Sequence, residues 1–238
     1  MICRFLIWKE DTVEYLLDTG NIEIIQKLSE IYPVTGVTSN PSILKKEGNV
    51  PFFRHLNEIR SIIGMDKTLH VQVTCSDSLG MQKEADAILE RVDANVYIKI
   101  PVTEEGLKTI QLLKKQNVNV TATGIYHRTQ GFLAIAAGAD FIAPYCNRMA
   151  SLDIDFRKTI NAFKKMIDEN GLKTKILAAS FHCIEQVNDA FLAGAHAATV
   201  DPVLLQKSLQ SADVNDAVNI FAKDWEMVRK GIPIFMLR

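Results

Sequence analysis

A single closed (β/α)8 barrel with an extra C-terminal helix is the fold class this sequence predicts. Three observations point there. Short segments rich in Val, Ile, Ala and Thr alternate with helix-like stretches across about 200 residues. Many of those short segments are apolar on both faces, as strands of a helix-covered parallel sheet should be. A polar side chain stands at nearly every strand end, and catalytic groups of barrels come from there. An open doubly wound sheet is the main competitor. It is disfavoured because the first βα turn, "LLDTGNIEI", carries no G-x-G-x-x-G and no Walker-type loop occurs elsewhere.

In chain order, the expected strands are 14–18, 35–39, 69–74, 95–100, 118–123, 140–145, 174–180 and 197–201. Helical patterns fall at 21–32, 76–92, 103–117, 126–138, 153–171, 183–194 and 201–210. The first places Ile22, Ile25 and Leu28 on one side. Thr103 is a helix cap, but Gly106 stands where a capping box wants Glu or Gln. Gly138, Gly171, Gly194 and Gly231 sit where helix C-termini are expected. The last segment, 213–231, has an apolar side of Val214, Ala217, Val218, Phe221, Ala222 and Trp225. No linker rich in Pro, Gly or Ser divides the chain, so residues 1–238 read as one domain. Residues 1–13 read as an extra segment, a short strand or loose tail. Their apolar run, Phe5 to Trp8, is too short for a signal sequence.

Composition excludes several classes. Basic and acidic residues number 27 and 28, with no dense basic block, which argues against nucleic acid. No segment reaches transmembrane length, so no membrane partner is expected. Cys3, Cys75, Cys146 and Cys183 are scattered with no C-x-x-C pair. They suggest reduced thiols in a cytoplasmic protein rather than a disulfide scaffold or zinc site.

The strand ends carry the chemistry. In "VYIKIPVT", Val96, Ile98 and Ile100 alternate with Tyr97 and Lys99, so Lys99 points opposite the isoleucines, into the barrel. Desolvation lowers the pKa of an interior lysine. Its free amine then attacks carbonyls to form a Schiff base, an electron sink that needs neither metal nor cofactor. A lysine snorkelling to the rim is the simpler alternative. Protons could be moved by Asp18, Gln72, Thr123 and Tyr145. Thr38, Ser39 and Asn40 suit the hydroxyls of a sugar. Arg148 and Ser180 lie where barrels place a phosphate, for which a guanidinium fork is well shaped. Each has a plainer reading too: Asp18 as a cap for the helix at Asn21, and Asn40-Pro41-Ser42 as a turn and helix start. Asp201-Pro202 reads as a cap and first helical proline, outside the site.

The segments "YLLDTG", "GVTSNPSIL", "YIKIPVTEEGL", "TATGIYHRTQG", "GADFIAPYCNR", "ILAASFH" and "FAKDWE" resemble those of the transaldolase-like class I aldolases, in particular the fructose-6-phosphate aldolase subgroup. The likeness spans about residues 14–230. It implies a Schiff-base lysine at Lys99 and substrate-hydroxyl contacts at Asp18 and Asn40, with Thr38 and Ser39 beside them. Arg148 and Ser180 match the pair that holds the substrate phosphate. It implies a homo-oligomer, pentameric or decameric, joined through the C-terminal helix 213–231. The transaldolase pattern has glutamate where this chain has Gln72 and phenylalanine where it has Tyr145. In the aldolase pattern Gln72, Thr123 and Tyr145 match residues that hold a catalytic water. The expected reaction is therefore reversible cleavage of fructose 6-phosphate or a related ketose to dihydroxyacetone and an aldehyde. Transfer of the dihydroxyacetone unit to an aldose phosphate, as in a transaldolase, is the alternative, and a non-catalytic sugar-phosphate-binding barrel a second. Two departures stand out. "MASLDIDF" after Arg148 lacks the usual glycine-rich loop, and His127 and Arg128 replace small residues.

Overall fold

The computed structural model of the chain describes residues 13–237. The expectation for the N-terminal segment falls almost wholly outside them. The chain divides into two compact units, Met1–Pro202 and Val203–Arg238. In the first, eight parallel strands close into a barrel in sequence order. They alternate with helices, so the predicted (β/α)8 class holds.

The order is β1 (Glu14–Asp18), α1 (Ile22–Ile31), β2 (Val34–Thr38), α2 (Pro41–Leu44), α3 (Phe52–Ile63), β3 (Thr68–Gln72), α4 (Ser78–Arg91) and β4 (Tyr97–Pro101). There follow α5 (Glu104–Lys115), β5 (Val120–Ile125), α6 (Arg128–Ala136), β6 (Phe141–Pro144), α7 (Cys146–Ala150) and α8 (Phe156–Glu169). Then come β7 (Lys175–Ala178), α9 (Ile184–Leu192), β8 (Ala197–Val200) and α10 (Pro202–Ser208). α11 (Ala212–Arg229) lies in the second unit; none of its residues is buried, and Val214, Val218 and Phe221 are exposed.

Alternation along each strand sorts side chains between the helix layer and the lumen. In β4, Ile98 and Ile100 pack outward, wholly buried, while Tyr97 and Lys99 turn inward. The lower lumen is filled by Leu16, Tyr97, Phe141, Leu177 and Ala197. Register is fixed around the ring, with Gln72 opposite Lys99 and Lys99 opposite Thr121. Because the side-chain period is two residues, a one-residue slip would turn Lys99 out of the lumen.

Several elements differ from the sequence expectation for local reasons. β3 stops at Gln72 rather than residue 74, because Thr74 turns to Glu84 of α4. Its backbone N–H donates to Glu84 Oε2 at 2.6 Å. β7 stops at Ala178, and Ser180 adopts φ 60°, a left-handed conformation that ends the strand. Neither α3 nor α7 stood among the expected helices. The inner side of α3 includes His55 and Arg60 among Leu56, Ile59 and Ile63, which obscures its apolar stripe. Arg60 is accommodated there by Asp93, at 2.7 Å, and by the carbonyls of Gly64 and Lys67. α6 begins at Arg128 rather than 126, since Gln130 Oε1 accepts from the N–H groups of Tyr126 and His127. No helix among the described residues is long and apolar enough to cross a membrane.

Thr103 does cap α5, accepting from Gly106 N at 3.0 Å. The missing second half of the capping box has a steric cause. A Cβ at Gly106 would overlap the backbone carbonyl oxygen of Pro101. Alanine is the better helix former by about 1 kcal/mol. Overpacking against fixed backbone outweighs this, so Gly106→Ala should lower the unfolding free energy by about 2 kcal/mol. A urea titration checks it; a stabilised variant would contradict the close approach.

Candidate active site

The C-terminal ends of the strands surround a cavity of about 350 Å³. Seven of the ten residues singled out from sequence line it: Asp18, Asn40, Gln72, Lys99, Tyr145, Arg148 and Ser180. Thr38, Ser39 and Thr123 are buried behind the wall, each supporting a residue in front. Thr38 and Ser39 therefore do not open onto the cavity in the manner suggested for sugar contacts. Pro41 and Ser42, which were not singled out, complete the lining at the start of α2.

Lys99 sits at the base and is 5% exposed. Its Nζ donates to the Ser39 carbonyl at 3.0 Å. Burial lowers its pKa below the ordinary lysine value, and the negative charge of Asp18 acts in the opposite direction. The rim reading is thus overturned: the amine is enclosed, and its burial makes loss of the proton easier than for an exposed lysine.

Asp18 ends β1. It does not cap α1; Asn21 does, accepting from Ile24 N at 3.0 Å. Its Oδ1 instead accepts from Thr38 Oγ1 at 2.7 Å. Burial raises its pKa, against the lowering effects of Lys99, Thr38 and Lys46, while Asp201 adds to the rise. A carboxyl held this way takes and returns protons more readily than an exposed aspartate. Asn40 caps α2, its side chain accepting from Ile43 N at 3.0 Å, and it also lines the cavity.

On the opposite wall, the Thr123 hydroxyl and the Tyr145 phenol lie 3.0 Å apart. Burial is the chief cause holding the Tyr145 pKa above its ordinary value, so the phenol stays protonated and can donate. Gln72 faces them from β3. Its Oε1 is buried and has no hydrogen-bond partner among the described residues. An amide oxygen left this way costs free energy until something donates to it.

Arg148 stands at the mouth on α7. It donates to the Tyr126 hydroxyl at 2.9 Å, and its guanidinium lies 5.5 Å from the Tyr145 ring centre. Tyr126 escaped the sequence reading; the only signal was its place just beyond β5. Ser180 is tied to the same corner, its carbonyl accepting from Asn147 N at 2.8 Å. The left-handed φ of a serine costs about 1 kcal/mol and is held by this surrounding structure. His127, by contrast, is exposed at the start of α6 and does not line the cavity.

Below Lys99, sequence reasoning also missed His70. It is wholly buried, with Nδ1 2.8 Å from Thr121 Oγ1 and Nε2 3.0 Å from Thr68 Oγ1. Burial and the nearby Lys99 hold its pKa well below the usual histidine value. It is a neutral spacer stacked on Tyr97 at 4.7 Å.

Comparison with known proteins gives two matches. A family model described as transaldolase/fructose-6-phosphate aldolase matches residues 15–232. A protein of Streptococcus pneumoniae (strain ATCC 700669 / Spain 23F-1) named a probable fructose-6-phosphate aldolase is 43% identical over 217 residues. That match covers 91% of this chain and 98% of the relative.

The electrostatic coupling is open to test without any sugar. Asp18 raises the Lys99 pKa, so Asp18→Asn should lower it further. Reductive methylation by formaldehyde and cyanoborohydride requires the free amine. Followed at Lys99 by mass spectrometry, its pH profile should move to lower pH in the variant. A move to higher pH would show that the two groups are not coupled as described.

Proposed function

The chain belongs to the transaldolase/fructose-6-phosphate aldolase family, and on that premise we propose that it cleaves a ketose phosphate through a Schiff base on Lys99. The observation that carries this reading is the buried lysine, its amine facing a cavity that also holds a carboxyl, a phenol and an arginine.

The Lys99 amine adds to C2 of fructose 6-phosphate, and loss of water gives the iminium. Asp18 takes the proton of the C4 hydroxyl. The C3–C4 electron pair moves into the iminium, releasing glyceraldehyde 3-phosphate and leaving an enamine. A water held between Gln72 and Tyr145, whose phenol Thr123 braces, gives a proton to C3, and the proton taken by Asp18 replaces it. A second water adds to the resulting imine, dihydroxyacetone leaves, and the amine is restored. The orphaned Gln72 Oε1 supports this water, since a water proton is the partner it lacks. Asn40 holds the sugar hydroxyls, while Thr38 and Ser39 act through Asp18 and Lys99. Arg148 and Ser180 take the phosphate.

Free release of dihydroxyacetone, rather than transfer, is favoured by Tyr145. Its donating phenol gives the enamine a route to protonation that a phenylalanine lacks. We place the enzyme in the cytoplasm as a homo-oligomer, pentameric or decameric. The exposed Val214, Val218 and Phe221 of α11 support self-association.

The deciding experiment is cleavage of fructose 6-phosphate with no acceptor present. Glyceraldehyde 3-phosphate should form without any added aldose phosphate; product that appears only with erythrose 4-phosphate would mark a transaldolase. Borohydride with dihydroxyacetone should trap an adduct on Lys99 in the wild type and none in Lys99→Met. Tyr145→Phe should slow cleavage about a hundredfold, and an unchanged rate would remove the water-activation step.

A further inference from the structure

One buried hydroxyl has no part in the mechanism above. Thr199, in β8, is 3% exposed and pairs in register with Leu16 of β1, on the lumen side. Its Oγ1 lies 2.6 Å from Thr38 Oγ1, which in turn is 2.7 Å from Asp18 Oδ1. Three oxygens from β8, β2 and β1 therefore form a row. Packing alone gives no reason for a hydroxyl here, because valine has the same shape and is cheaper to bury.

Counting protons fixes the direction of the row. Each threonine hydroxyl has one hydrogen to give. An ionised carboxylate only accepts, so Thr38 must donate to Oδ1. With its single hydrogen spent, Thr38 can only accept from Thr199. That incoming bond polarises the Thr38 hydroxyl and strengthens the bond it makes to the carboxylate. Asp18 lines the cavity, and among the described residues its side-chain hydrogen bond is made at Oδ1, which leaves Oδ2 for other partners.

We propose that Thr199 is a positioning residue for the cleavage reaction: by donating to Thr38 it commits Oδ1 of Asp18 as an acceptor and reserves Oδ2 for proton exchange with the substrate. The proposal rests on Asp18 being the proton-transfer group. Losing the Thr199 hydroxyl weakens the bond that favours the carboxylate, so the pKa of Asp18 rises. The other groups facing Asp18 remain: Lys99 from β4, Lys46 after α2, Asp201 after β8 and the Tyr145 phenol after β6. A change in the acidic limb of the pH profile thus reports the hydroxyl.

The test is acceptor-free cleavage of fructose 6-phosphate by Thr199→Val and Thr199→Ser, with kcat and KM followed between about pH 4 and 9. Thr199→Val should move the acidic limb of kcat to higher pH. On that limb kcat should fall about three- to tenfold, with KM little changed and adduct trapping on Lys99 retained. Thr199→Ser should overlay the wild type. Should Thr199→Val fail to fold, Thr199→Ala removes the same hydroxyl and should show the same displaced limb. An unmoved limb in the hydroxyl-free variant overturns the proposal, as does an equal displacement in Thr199→Ser, which would mark a packing effect. Asp18→Asn separates the two levels. If the limb survives in it, Asp18 is not the titrating group and the underlying reading fails. If it vanishes there while Thr199→Val keeps it in place, only the role of Thr199 fails.

Discussion

An ammonium enclosed in the barrel is the constraint around which the rest of this structure is arranged. Desolvating a charge is costly, and Lys99 has little compensation. It has one backbone carbonyl, that of Ser39, and the charge of Asp18 acting on it. That scarcity eases the loss of its proton. More partners would hold the amine protonated, whereas fewer would leave it unplaced. The surrounding hydroxyls of Thr38, Thr123 and Thr199 are arranged around Asp18 and Tyr145 rather than around the lysine itself.

Three energetically costly features stand around the cavity. Gln72 keeps an orphaned oxygen, Ser180 holds a left-handed backbone, and the Asp18 carboxyl is buried. Each costs stability, and the lower lumen, with Leu16, Tyr97, Phe141 and Leu177 interlocked around His70, offsets them. The chain thus separates a packed half that holds the ring closed from an upper half that stays chemically unsatisfied.

Much of this was legible in the chain because strand parity is a local property. Ile98 and Ile100 on either side of Lys99 set its direction, and polar residues at successive strand ends marked the open face. Depth is not local. Parity says that Thr38 and Ser39 lie near the site. It does not say that they stand behind its wall, because that depends on how neighbouring strands are staggered. Thr199 and Tyr126 were missed for the same reason: their partners, Thr38 and Arg148, are far away in sequence. α3 was hidden by its own chemistry, since an inward Arg60 breaks an apolar stripe until Asp93 is known to meet it.

The position of Arg148 links the mouth of the cavity to Tyr145. Its guanidinium lies over the Tyr145 ring and lowers that phenol's pKa against the effect of burial. An anion seated on the guanidinium neutralises that influence, and the phenol grips its proton more firmly. On the proposed assignment of the phosphate to Arg148, a phosphorylated sugar and its unphosphorylated counterpart would meet chemically different phenols at the same tyrosine, the remote end of the substrate bearing on the reacting end.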